Sequence, residues 1–281
     1  MLIVSTPPLL KQLLDDAAVF PPGSAPLPEA LSSHRDYRTT WYSDMVGPLL
    51  VPASQIKDLS AMLGPEEAIE VGVIADGIAL GDLFRPLTPR GIVVKQVEAP
   101  VARRGEDPQP TLRRLIELLQ RYAVTGFAEV PLAWGLLAAL DSIAEARRDG
   151  VAISAKFRTG GLAAELFPTP MELAAVIAAC AERQLPFKLT AGLHHAIRHT
   201  DPETGFTHHG FLNVLAATCL ANEGAEVSEV AAILASTQPL TLLEALRRFR
   251  SEDRPLWLGF GTCSVLEPIA DMQQLGLIGP S

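Results

Sequence analysis

The sequence predicts an α/β chain folded as a (β/α)8 barrel, on three observations. Short apolar runs alternate with longer helical patterns from end to end, the signature of parallel strands joined by crossover helices. Eight such runs can be counted, the number that closes a parallel sheet on itself. No shift in composition divides the 281 residues, so one domain over 1–281 is expected, near the usual size of about 250 residues for this fold.

The eight strand candidates, in order, are Ala17–Phe20, Pro48–Ala53, Ile69–Asp76, Gly91–Val97, Gly126–Pro131, Val151–Arg158, Pro186–Ala191 and Leu256–Thr262. Turn chemistry follows several of them, at Pro21-Pro22-Gly23, Asp76-Gly77, Thr159-Gly160-Gly161 and Gly261-Thr262. Between the runs, apolar residues recur at three- and four-residue spacing over Leu27–Tyr42, Thr111–Tyr122, Leu136–Arg148, Thr169–Gln184, Phe211–Asn222 and Leu240–Phe249. Thr169-Pro170-Met171-Glu172 has a capping threonine, a proline at the first helical position and an acid at the third. Asp149-Gly150 is a helix stop.

Alternation along each strand assigns its polar residues, because the face toward the helices must be apolar. In strand six Ile153, Ala155 and Phe157 suit the helices, leaving Ser154, Lys156 and Arg158 inside. In strand seven Phe187, Leu189 and Ala191 face out, so Lys188, Thr190, Gly192 and His194 point in. Glu129 lies inside on strand five. Charges buried in a barrel must be paired, hydrated or shifted in pKa. One reading is an inert ion-pair layer of Lys156, Lys188 and Glu129. The other is catalytic: neighbouring ammonium groups depress each other's pKa, and a neutral lysine attacks carbonyls. Arg158 suits an anion through its planar fork.

Five of the six histidines fall in one stretch, His194-His195, His199 and His208-His209, around a turn at Asp201-Pro202-Glu203-Thr204-Gly205. This reads as a functional loop after strand seven, with His194 and His195 as proton carriers and His199, His208 and His209 as substrate contacts. A divalent metal held by His194, His195, His208 and His209 is the alternative; no familiar zinc spacing is present, and no cofactor is otherwise implied. His34, on an early amphipathic helix, is expected at the surface. Asp15-Asp16 is expected to precede strand one as a structural cap, and Glu98 to end strand four as a catalytic group or a rim charge. Asn213 either orients a substrate or starts a helix. Thr159, Gly160, Gly161, Thr190 and Gly192 are expected to line the site. Gly261, Thr262 and Ser264 follow the last strand, where barrels often bind phosphate. Cys263, beside them, reads as a packed thiol.

Composition limits the partners. Lys and Arg number 23 against 32 Asp and Glu, a formal charge of −9, which disfavours nucleic acid and anionic membranes. The three cysteines lack a CxxC pair, and no signal peptide or long apolar run is evident, so a cytoplasmic protein with reduced thiols is expected. The sequence leaves homo-oligomer formation open.

Lys156-Phe157-Arg158-Thr159-Gly160 resembles the strand-six motif of class I aldolases of the deoxyribose-phosphate aldolase type. Lys188 resembles that family's second lysine, and Gly261-Thr262-Cys263-Ser264 its phosphate loop. The resemblance implies a Schiff base on Lys156, a perturbing role for Lys188 and phosphate contacts from Gly261, Thr262 and Ser264. The family's strand-four aspartate has no clear counterpart, Lys95 and Glu98 occupying that region. Its strand-seven Gly-Gly becomes Ala191-Gly192, and the histidine loop is foreign to it. The stretch from Asp15 to Gly23, Phe157-Arg158-Thr159-Gly160-Gly161 and the His-His loop together also resemble an uncharacterised bacterial family of (β/α)8 barrels. The leading expectation is therefore a lyase or aldolase-like enzyme acting on a small anionic carbonyl compound. Against it stand a metal-dependent hydrolase or lyase and a non-catalytic barrel that binds small anions.

Overall fold

The computed structural model describes residues 6–75, 80–84 and 89–279. Its centre is a closed barrel of eight parallel strands. In chain order these are β1 (Leu14–Asp16), β2 (Val46–Pro52), β3 (Ile69–Ile74), β4 (Ile92–Pro100), β5 (Gly126–Glu129), β6 (Ile153–Arg158), β7 (Phe187–Thr190) and, last, β10 (Trp257–Thr262). Each pairs with its sequence neighbours, and β10 closes the ring between β7 and β1. A two-stranded antiparallel hairpin, β8 (His199–Thr200) and β9 (Thr207–His208), is inserted after β7.

Seven of the eight strands lie where alternation places them. The first does not. Ala17–Phe20 forms a turn, with the Phe20 amide donating to the Ala17 carbonyl at 2.9 Å, and the strand is the preceding Leu14–Asp16. An apolar count misses it because two of its three residues are acids. Asp15 pairs with β10 at Gly261, and both acids are buried. They are part of the barrel wall and not a cap ahead of it. The Asp76-Gly77 turn lies outside the described residues.

Around the barrel run α1 (Leu27–Tyr37), α2 (Ile56–Ala61), α3 (Leu80–Leu83), α4 (Gln109–Tyr122), α5 (Leu136–Arg148), α6 (Pro170–Glu182), α7 (Phe211–Asn222), α8 (Val227–Ala235), α9 (Pro239–Arg247) and α10 (Leu266–Gln274). Periodicity finds six of these and misses the short α2 and α3, together with α8 and α10. The predicted capping box at α6 forms: Thr169 Oγ1 accepts from the Glu172 amide at 3.2 Å, and Glu172 accepts from the Thr169 amide at 2.8 Å. Ala164–Glu182 is apolar and long enough by composition to cross a membrane. Its continuous helix, α6, is only 13 residues, about 20 Å at 1.5 Å per residue, against a bilayer core of about 30 Å. α6 packs on α7 and α8.

The inner wall alternates large and absent side chains. Gly47, Gly72 and Gly261 leave room, which Asp15, Leu50 and Gln96 occupy. A Cβ on Gly72 would overlap Leu50 and come within 3.1 Å of Gln96 Cγ, and one on Gly47 would overlap the Asp15 carboxylate. Outside the wall, Phe157 and Phe187 meet with ring centroids 6.1 Å apart, confirming the outward parity of β6 and β7.

The seam between first and last strands has its own fastener. Arg254 donates from Nη1 to the Leu9 carbonyl and from Nε to the Trp257 carbonyl, both at 2.5 Å, and from Nη2 to Leu258 at 3.0 Å. Burial lowers its pKa to about 10, and all these partners are neutral carbonyl oxygens. Beside it the Phe260 amide reaches the Leu13 carbonyl at 2.9 Å. Gly259 permits this approach, with φ at +134° and an added Cβ only 2.6 Å from the Leu13 oxygen. Gly259→Ala is therefore expected to destabilise the fold by about 1–3 kcal/mol, read as a lower denaturant midpoint at unchanged slope.

Candidate functional site

The polar residues inside the barrel form one chain of alternating charge. Register puts Lys156 beside Lys188 and Glu129 beside Lys156. Lys156 Nζ lies 2.6 Å from Glu98 Oε2 and 3.0 Å from Glu129 Oε2. Glu129 Oε1 accepts from Arg158 Nε at 3.2 Å. On the other side Lys188 Nζ bonds both Asp15 and Glu98, and sits 5.2 Å from the centre of the Phe127 ring. Gln96 Nε2 donates to Asp15 Oδ2 at 2.8 Å and to Glu98 Oε1 at 2.9 Å, which fixes the two acids relative to each other. The order is Asp15, Lys188, Glu98, Lys156, Glu129, Arg158, three acids and three bases.

Glu98 is the hub. It is 1% exposed and touches both ammonium groups. β4 extends past Val97 to Pro100, so Glu98 is an inward residue within a strand and not a rim charge. Lys95, one position before Gln96, points outward and pairs with Glu70 at 3.2 Å. Sequence reasoning names Asp15 but as a cap, because it places the first strand too late. Gln96 is the site residue it misses; alternation read on to Pro100, with Val97 and Ala99 facing out, places Gln96 and Glu98 inside.

The electrostatics differ from the expectation at Lys156. Burial disfavours its ammonium form, but Glu129 and Glu98 outweigh burial and raise its pKa above the ordinary lysine value. The nearest charges to each lysine are carboxylates, and the second lysine lies behind one. Burial alone would push the Glu98 carboxyl up; Lys156 and Lys188 outweigh it and hold it at about 2. Glu129 is lowered in the same way, burial being outweighed by Lys156 and Arg158. At Asp15 burial wins over Lys188 and raises the pKa.

From Lys156 onward, exposure rises along the chain. The side chain of Lys188 is 2% exposed, Lys156 5%, Glu129 19% and Arg158 44%. Glu129 and Arg158 open into a cleft of about 200 Å³, which Arg104, Pro131, Leu132 and Leu166 also line. This is below the roughly 300–1,000 Å³ of sites for drug-sized ligands, so the cleft suits a small molecule.

The histidine loop lies over the ends of β6 and β7 and divides into two parts. His209 is fully buried: Nε2 meets the Pro168 carbonyl at 2.8 Å and Nδ1 meets Arg198 at 3.2 Å. Burial lowers its pKa to about 4, so it is neutral and fully engaged, holding the loop rather than touching substrate. Asn213 has the same character. Its oxygen accepts from the Arg198 amide at 2.9 Å, and its nitrogen donates to Ile233 and Ser236 carbonyls at 2.8 and 2.7 Å. It ties the loop to the end of α8.

The other four histidines are more open. His194 Nδ1 lies 3.1 Å from Glu267 and His195 Nδ1 3.2 Å from Asp271. His199 and His208 place Nδ1 on the Ile197 and Gly192 carbonyls, at 3.2 and 3.1 Å. Burial lowers the pKa of His199 and of His208. Their rings stack at 5.2 Å with 19° between planes, and His195 meets His199 edge-on at 4.7 Å. Nearly parallel rings direct their nitrogens side by side, and among the described residues no three His, Cys, Asp or Glu side chains form a metal-ready group.

The glycine and hydroxyl candidates are largely structural. Thr159 is buried, donating to the Ala191 carbonyl at 2.6 Å. An added Cβ at Gly160 would sit 2.8 Å from Gly192 Cα, and one at Gly192, whose φ is +79°, 2.9 Å from the Thr159 oxygen. These residues weld the ends of β6 and β7 together. Gly161 packs on Leu166, and Thr190 faces Gly261 across the inner wall. Thr262 Oγ1 donates to the Ser264 carbonyl at 2.8 Å and accepts from the Ser264 amide at 3.3 Å. His34 is buried and not at the surface: its Nδ1 contacts Asp16 Oδ2 at 3.0 Å, because Asp16 points outward from β1 onto α1.

Fold and site together define a (β/α)8 barrel with an ionic core opening to a small cleft at the C-terminal face. No protein-family model matches the chain, and no curated protein is significantly similar to it.

Glu98→Gln leaves Lys156 with Glu129 alone and Lys188 with Asp15 alone, one buried positive charge in excess, and is expected to cost about 3–5 kcal/mol at pH 7. The pKa of Glu98 falls on folding from the ordinary 4.5 to about 2, so its contribution is present above pH 4.5 and lost as pH drops toward 2. Asp15, raised on folding, acts in the opposite sense. Chemical denaturation of both proteins from pH 7 to 2 should show their stability difference shrinking through that window.

Proposed function

We propose that the barrel is a lysine-dependent, aldolase-like lyase acting on a small anionic carbonyl compound, with Lys156 as the nucleophile. The observation that carries this is the ion pair of Lys156 with Glu129, the one acid of the ionic core that lines the cleft. Lys188, held between Asp15 and Glu98 and beneath Phe127, is better suited to fixing Glu98 than to meeting a substrate.

The chemistry balances within these residues. Glu129 takes one proton from the Lys156 ammonium, and the freed amine adds to the carbonyl carbon. The attacking nitrogen passes a second proton to the carbonyl oxygen, the proton held by Glu129 follows it, the oxygen leaves as water, and an iminium with one N–H remains on Lys156. Its positive nitrogen draws in the electron pair of the adjacent C–C or C–H bond. Arg158, next to Glu129, offers the anionic group a charged donor. His194 and His195 are assigned the later proton transfers, each with Nδ1 on a carboxylate of α10, Glu267 and Asp271. The three free cysteines, two of them buried, fit the reducing cytoplasm.

A metal-dependent reading has one observation in its favour. His194, His195, His199 and His208 all place Nδ1 on an oxygen, which leaves Nε2 unpartnered among the described residues, as metal-bound histidines do. Stoichiometric zinc, manganese or iron in protein purified without a histidine tag would favour it.

Borohydride reduction with glyoxylate, pyruvate and short aldehydes, followed by peptide mass analysis, tests the lysine reading. The adduct is expected on Lys156, to vanish in Lys156→Met, and to form faster as pH rises from 7 to 10, because the neutral amine is scarce below its raised pKa. An unlabelled Lys156 across that range overturns the assignment.

A further inference from the structure

Arg104 belongs to the segment between β4 and α4, far in sequence from Arg158, yet both line the same cleft. Arg104 uses Nη1 in one long bond to the Glu165 carbonyl, at 3.3 Å. Arg158 uses Nε on Glu129. Among the described residues, the remaining guanidinium nitrogens of both have no partner. Two forks with uncommitted N–H groups therefore border one small cavity, next to the outermost pair of the ionic core.

Three carboxylates also border it. Glu129 is neutralised by Lys156 and Arg158. Glu172 uses Oε2 in the capping box, accepting from the amide and the hydroxyl of Thr169 at 2.8 Å each, and Arg104 acts on it through charge without a hydrogen bond. Glu165 is exposed to solvent, where its charge is screened. The guanidinium forks are thus the donors left for a ligand.

The loop after β10 is less available. The Ser264 amide is taken by Thr262 Oγ1, and the Glu267 amide donates to Ser264 Oγ at 3.4 Å. These are among the amides and hydroxyls an anion would need there.

We infer that the oxyanion end of the substrate, a carboxylate or a phosphate monoester, is held between Arg104 and Arg158 in this cleft and not by the loop after β10. The position of the carbonyl, though not of the anion, rests on the lysine reading above. The cleft volume limits the ligand to a short chain, and Val130, Pro131, Leu132 and Leu166 give it apolar sides.

The test compares wild type with Arg104→Gln, an exposed position whose folding is checked by thermal melting. Borohydride trapping is run with glyoxylate, glycolaldehyde phosphate and uncharged glycolaldehyde. Trapping of at least one anionic probe should fall about tenfold or more, the scale for losing a charged hydrogen bond, with glycolaldehyde unchanged. Loss confined to glyoxylate or to glycolaldehyde phosphate identifies the anion as carboxylate or phosphate. Equal loss with all three probes, or no loss with either anion, overturns the inference. Should the wild type trap nothing, the lysine reading fails by itself, and calorimetry with oxalate and inorganic phosphate decides the anion site. Binding of either that is lost in Arg104→Gln supports it; equal binding to both proteins, or none to the wild type, refutes it.

Discussion

Two ammonium groups on neighbouring strands repel each other unless an acid stands between them, and in a barrel interior no water is at hand to do that work. Glu98 takes this position, with one oxygen toward Lys156 and the other toward Lys188. Much else follows from it. Asp15 and Glu129 complete the coordination of the outer sides of the two lysines, Gln96 keeps Asp15 and Glu98 in register, and inward glycines give the long side chains room. Removing any one charge leaves another buried without compensation, which is more costly than never having buried the set.

The same arrangement separates storage of charge from contact with solvent. At the closed end, Asp15 and Lys188 are sealed against Phe127; at the open end, Glu129 and Arg158 meet the cleft. A chain of short ionic contacts joins the two. The histidine loop covers a neighbouring part of the same face, but its deepest members are braces. His209 and Asn213 use their polar atoms on backbone and on Arg198, and the stacked His199 and His208 join the inserted hairpin into one aromatic surface.

Much of this was legible in the chain because alternation is strict where both faces are constrained. Lys156, Lys188 and Glu129 each sit between apolar residues that must face helices, so their inward direction could be read directly. The reading failed where one face is relaxed or reversed. On β4 the outward side is uncovered at first, with Val93 and Lys95 exposed, so apolar alternation begins only at Val97 and Ala99 and leaves Gln96 with an apolar neighbour on one side alone. On β1 both acids are buried, one inward on Lys188 and one outward on His34, a combination invisible without tertiary partners. Clustering of histidines marks this loop in the chain. It could not tell a ring with one nitrogen free from a ring with none, since that depends on Pro168 and Arg198.

The seam that Arg254 fastens joins the first strand to the last, so the order of synthesis matters. Until β10 emerges from the ribosome, β1 lacks its β10 neighbour and the Gln12 and Leu13 carbonyls lack their partners. Asp15 and Lys188, 173 residues apart, can meet only when the curled sheet shuts. A growing chain that has made seven of the eight strands therefore still carries an unsealed ionic interior, and the eighth closes it.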